Sequence, residues 1–212
     1  MLWPRGARGQ LRSALATLYQ AGASSLAAGF RSMLSAQVEP PEAVRAAEEL
    51  AHTEVIRAEE VFEQFLNERS SQVPPVEVWA MLLNGAKGFL VIGEVVDWLA
   101  KHGYVAADTG TPATTLGSLA SEAIANISRL AEEIRGGRSL RVTVRRDVSK
   151  ELRRAALASL SEPGVTASPQ ALRAAIGLVS TADWLGQLDV LLHDLEAPVA
   201  ETLAGAGRPW WR

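Results

Sequence analysis

The chain has 212 residues, 48% of them hydrophobic and 21% charged, with a net charge of −3 and no Cys. This length and apolar content suffice to bury a core and exclude a disordered chain. The missing Cys excludes disulfides, zinc–thiolate sites and a Cys nucleophile.

Leu11, Leu15, Leu18, Gly22, Leu26, Phe30 and Met33 recur every three or four positions, which predicts a long amphipathic helix over residues 9–36. Pro40 and Pro41 open a second helix, where Val44, Ala47, Ala51, Val55, Ala58, Phe62 and Phe65 form one stripe, glutamates occupy the other side, and the end falls near Ser70. After the Val73-Pro74-Pro75 break, residues 76–102 are apolar on nearly every side, with Lys87, Glu94 and Asp97 as interior charges, and this predicts the central helix. Gly85, Gly88 and Gly93 inside it cost stability unless they admit a close neighbour.

His102 and Gly103 close the third helix, and Thr111-Pro112 suits the N-cap and first position of a fourth. The fourth stripe is Leu116, Leu119, Ala123, Ile127, Leu130 and Ile134, stopped by Gly136-Gly137. A fifth element over 138–162 places Leu140, Val144, Val148, Leu152, Ala156 and Leu160 at spacing four; residues 140–144 also alternate like a short strand, but helix is preferred. Pro163-Gly164 breaks it, Ser168 and Pro169 cap a sixth helix, and Leu172, Ile176, Val179, Leu185, Leu188, Leu192, Leu195 and Val199 mark its stripe.

The expected fold is therefore all-α: one soluble helical domain over residues 1–212, built as an up-and-down bundle of about six long helices. An even number of antiparallel helices puts both termini at the same pole. Asp97-Trp98-Leu99 and Asp183-Trp184-Leu185 echo one another. Two three-helix halves would produce such an echo, but their flanking helices do not align at the same offset, which favours chance similarity between apolar helices. No run approaches the ~20 consecutive apolar residues of a membrane span. Pro4 and Arg5 directly after Leu2-Trp3 argue against a secretory signal.

Charge is unevenly distributed: residues 1–36 carry +4 with no acid, residues 37–70 carry −6, and residues 137–163 carry +4. The acidic face from Glu48 to Glu63 is thus expected to pack against the basic one from Arg141 to Arg154, within or between subunits of a homo-oligomer. The basic element lacks interleaved aromatics, so no nucleic-acid partner is expected. Phosphate loops, nucleophile elbows, zinc-protease helices and dinucleotide fingerprints are all absent from the sequence. His52 four residues after Glu48, and His193 four after Asp189, make surface pairs without a third ligand. No catalytic residue, cofactor or metal is expected. Asp97, Trp98, Asp183 and Trp184 are the candidate ligand pocket, in which a Trp would stack an aromatic acid whose carboxylate meets an Arg.

The ends are more informative. Trp3, Pro4, Arg5 and Arg8 at the start, and Arg208, Trp210, Trp211 and Arg212 at the finish, repeat the Trp and Arg composition selected at the cytoplasmic edge of a membrane. The stretch LWPRGARGQLRSALATL, Leu2 to Leu18, resembles the membrane exit and first cytoplasmic helix of the fusaric acid resistance (FUSC) family, related to the aromatic acid exporters. The resemblance implies a cytoplasmic middle domain between two transmembrane bundles of the same polypeptide, at the inner-membrane face, with a scaffolding, assembly or regulatory role in export of small aromatic or other organic acids. The competing class is a free cytosolic helical scaffold or regulator.

Overall fold

The computed structural model describes residues 6–34, 41–67, 74–105, 111–136, 154 and 168–204. Five helices are described: α1 (Ala7–Leu34), α2 (Pro41–Asn67), α3 (Val76–Lys101), α4 (Thr111–Gly136) and α5 (Pro169–Ala204), with no strand among the described residues. The fold is all-α and bundle-like, with five described helices against the expected six. Residues 138–162, expected as a further helix, lie outside the described residues apart from Arg154, so the Glu48–Glu63 to Arg141–Arg154 pairing lies there too.

Punctuation in the sequence sets the ends. Pro75 precedes α3, and Gly103, at φ +81°, takes the left-handed conformation that stops it. Ser168 caps α5, its Oγ accepting from the Ala171 amide at 3.4 Å and its carbonyl from the Leu172 amide at 3.0 Å.

The helix at the centre is α1, which packs on α2, α3 and α4, while α5 closes against α3 and α4. This corrects the expectation that the most apolar helix is central. Of the 28 residues of α1, 16 are buried, against 12 of 26 in α3. Nine of those 16 are Ala, Gly or Ser, which vanish into a tight interface without making a sequence look apolar. In contrast, α3 leaves Met81, Val91 and Trp98 exposed. Windows of α3 and α5 reach mean hydropathies of 1.3 and 1.2, enough by length and composition to cross a membrane, and 56% and 44% of those windows are buried in the bundle.

Pairwise contacts fix the helix directions. Tyr19 meets Leu82 while Gly29 meets Gly93, so α1 and α3 run parallel. Phe65 meets Trp79 while His52 meets Glu94, making α2 antiparallel to α3. Arg12 meets Ile134 while Phe30 and Gly117 line one cavity, making α4 antiparallel to α1. Leu195 meets Gly85 while Gly177 meets Tyr104, making α5 antiparallel to α3.

The glycines expected to admit neighbours do so. A Cβ at Gly29 would lie 2.9 Å from the Gly93 carbonyl oxygen, so α1 and α3 touch backbone to backbone. At Gly85 and Gly88 it would lie 2.6 and 2.8 Å from methyl groups of Leu195 and Leu191, respectively. At Gly177 it would overlap the Tyr104 carbonyl oxygen at 1.8 Å.

These contacts predict opposite outcomes for two equal substitutions. Gly177→Ala drives a methyl into backbone and should cost about 1–3 kcal/mol, a melting-point loss of roughly 2–4 °C per kcal/mol. Gly88→Ala meets only the flexible end of Leu191 and gains helix propensity, so its Tm should stay near that of the parent. Equal melting of Gly177→Ala and the parent would contradict the close approach.

Candidate functional site

The four residues of the candidate pocket are not brought together. Asp97 is buried at 4% relative exposure, where its carboxylate pairs with Lys101 one turn on. Glu48 reaches the same place from α2: burial raises its carboxyl pKa, Lys101 pulls it back, and Asp97 and Glu94 push it up again. The hydrogen bond to Asp97 holds the Lys101 ammonium above its ordinary range, against the opposing effect of its partial burial. Trp98, the next residue, lies about a quarter turn away on the helix. It is 53% exposed and stacks on His102 at a centroid distance of 4.1 Å.

Asp183 and Trp184 sit elsewhere, in an open groove of about 810 Å³ between α3 and α5 that Gly88, Val91, Val190 and Asp194 also line. Two carboxylates and no Lys or Arg stand among its described lining residues. An aromatic acid stacked on Trp184 would thus meet like charge at its carboxylate. Asp183 and Trp184 thus share one groove, whereas Asp97 and Trp98, about 100° apart around α3, divide between the bundle interior and solvent. A second cavity of about 520 Å³ lies between α1 and α4, walled by Ala27, Phe30, Leu34, Ala120 and Ile124, with Arg31 and Ser121 as polar lining.

The acidic face of α2 finds partners on α3. Glu59 pairs with Lys87, and His52 Nε2 lies 2.8 Å from Glu94 Oε1. The expected His52 partner, Glu48, is engaged with Asp97 and Lys101 instead. His193 Nδ1 lies 3.5 Å from Glu196 Oε2 rather than pairing with Asp189. Among the described residues, no group of three or more His, Asp or Glu is placed to hold a metal.

A different polar cluster sits where α1 begins. The Arg12 Nε donates to the Ile134 carbonyl at 2.8 Å, in the last described turn of α4. Arg8 lies one turn earlier. Its Nε and Nη2, and the Nη2 of Arg12, are buried without a hydrogen-bond partner. Burial, then the charge of Arg12, lowers the Arg8 guanidinium pKa, and burial lowers that of Arg12. Of the expected membrane-flanking residues, Arg8 is therefore placed. Trp3, Pro4, Arg5, Arg208, Trp210, Trp211 and Arg212 lie outside the described residues. Arg12 was missed in the sequence, although its signal was present: two arginines four apart in a stretch of 36 residues without one acid.

No family model matches the chain, and no curated protein or solved structure matches it.

Two outcomes follow from the site geometry. Because folding raises the Glu48 pKa above the ordinary carboxyl value of 4.5, the native state holds the extra proton and stability falls as pH rises from that value through the folded pKa. Glu48→Gln should therefore melt above the parent at neutral pH, with the gap closing as the pH falls through the raised folded pKa towards 4.5; a gap of constant size would refute the protonation argument. Titrating the chain with benzoate-like acids should leave Trp fluorescence without a saturable change. A micromolar transition lost in Trp184→Ala would show that the groove supplies a cation after all.

Proposed function

We propose that the chain is the cytoplasmic helical domain of an inner-membrane transporter of the fusaric acid resistance or aromatic acid exporter type. On this reading it completes a six-helix up-and-down bundle whose first helix starts, and last helix ends, at one pole facing the membrane. It catalyses no reaction and holds no cofactor. Its role is to couple the two membrane halves of the same polypeptide or to help subunits associate, in export of small organic acids.

One observation carries the proposal. Since α1 runs parallel to α3 and α5 runs antiparallel to it, the start of α1 and the end of α5 point the same way. A domain inserted between two membrane bundles needs this geometry, and the sequence carries Trp-Pro-Arg at residues 3–5 ahead of α1 and Trp-Trp-Arg at residues 210–212 after α5. The apolar outer positions Val91, Trp98 and Val190 supply surface for subunit contact.

Absence of native Cys makes the geometry directly measurable. Spin labels on Gly6→Cys and Glu201→Cys should lie within roughly two helix diameters, ~25 Å, whereas opposite poles would separate them by a helix length of ~40 Å. The functional test uses the uninterrupted gene. Its product should stay in the membrane pellet after an alkaline wash, and its deletion should raise retention of benzoate-like acids in cells. Recovery in the soluble fraction with unchanged retention would refute the transporter reading in favour of a cytosolic scaffold.

A further inference from the structure

We infer that Arg8 and Arg12 form a receptor for one phosphate group at the pole where α1 begins, the phosphate being that of an anionic lipid headgroup or free inorganic phosphate. The two guanidiniums stand on successive turns of one helix face, where like charges four residues apart repel. Three of their nitrogen atoms, Arg8 Nε, Arg8 Nη2 and Arg12 Nη2, are buried without an acceptor. Buried charge without a partner is costly, and a fold tolerates it where something else supplies the counter-charge.

Neither arginine makes an ion pair with any described residue, and residues 1–36 contain no acid. The bond to α4 explains only part of the arrangement. The Arg12 Nε serves the Ile134 carbonyl, which leaves its Nη2 and all of Arg8 unexplained. A carboxylate has two oxygens and fills one guanidinium fork, whereas a phosphomonoester, as in phosphatidate, has three terminal oxygens and inorganic phosphate four, enough to accept from two guanidiniums at once. The positive end of the α1 dipole adds to the attraction.

Only the lipid source rests on the membrane-adjacent reading above; recognition of phosphate does not. The test uses the whole chain, with Arg8→Gln as the probe and Arg31→Gln, at the other end of α1, as the control for loss of one charge. Thermal unfolding is compared in sodium phosphate and sodium chloride at equal ionic strength. Flotation is compared on phosphatidylcholine vesicles with and without phosphatidate.

Phosphate should raise the Tm of the parent and of Arg31→Gln but not of Arg8→Gln, and phosphatidate vesicles should hold Arg8→Gln about tenfold more weakly, the loss of one charge-assisted contact. A Tm rise without vesicle capture assigns the site to free phosphate. Capture that inorganic phosphate does not displace assigns it to the headgroup. Absence of both effects, or equal weakening by Arg8→Gln and Arg31→Gln, overturns the inference. In chloride alone, Arg8→Gln should unfold no earlier than the parent because it loses no protein partner; earlier unfolding makes Arg8 a structural residue and also overturns it. The label distance and membrane fractionation do not involve Arg8, so failure of the membrane reading is seen separately.

Discussion

The bundle depends on the seam where α1 and α3 run side by side. Gly29 and Gly93 let the two backbones meet, and Tyr19, fully buried, donates its hydroxyl to the Leu82 carbonyl at 3.0 Å. Its ring stands edge-on to Phe89 at 5.5 Å. A buried hydroxyl without an acceptor costs about 1–3 kcal/mol, so this bond fixes the register of the pair as well as its separation. With α3 held this close, the other faces of α1 are free for α2 and α4, and α5 can bridge α3 and α4.

Much of this was legible in the sequence. The five described helices begin and end within a few residues of their expected bounds because Pro75, Gly103, Ser168 and Gly136 act locally, through backbone geometry each residue carries by itself. The central helix was misread because Ala16, Ala23 and Gly29 bury by being small, which a hydropathy pattern does not record. Ion-pair partners were misread for a different reason. Whether His52 meets Glu48 or Glu94 depends on how α2 is rotated against α3, and spacing along one helix holds no information on that rotation. The matching Asp-Trp-Leu triplets show the same limit, with Asp97 buried and Asp183 exposed in equal local sequence.

Charged groups in the bundle fall into two kinds. Along the α2–α3 seam, Glu59 pairs with Lys87 and His52 with Glu94 at partly exposed positions, where each pair stabilises little but disfavours other rotations of α2, while Asp97 and Lys101 pair within α3. At the start of α1 the balance is absent: Arg8 and Arg12 repel, burial disfavours both charges, and only one of their donors meets a carbonyl. Stability alone explains the first group. The second makes sense as a place that gains energy when something negative arrives.

The packing of α4 on α1 also sets a schedule for synthesis. Three later helices cover α1, and the last of them, α4, is complete only at Gly136, about a hundred residues after Leu34. At roughly 5–20 residues per second, the α4-facing side of α1 waits on the order of 5–20 s for its cover. During that interval Ala, Leu and Phe side chains meant for a tight interface stand open at the ribosome exit. A pause inserted between codons 102 and 111 would prolong that exposure, so codon choice across this one short connection bears on how much chain reaches the folded bundle.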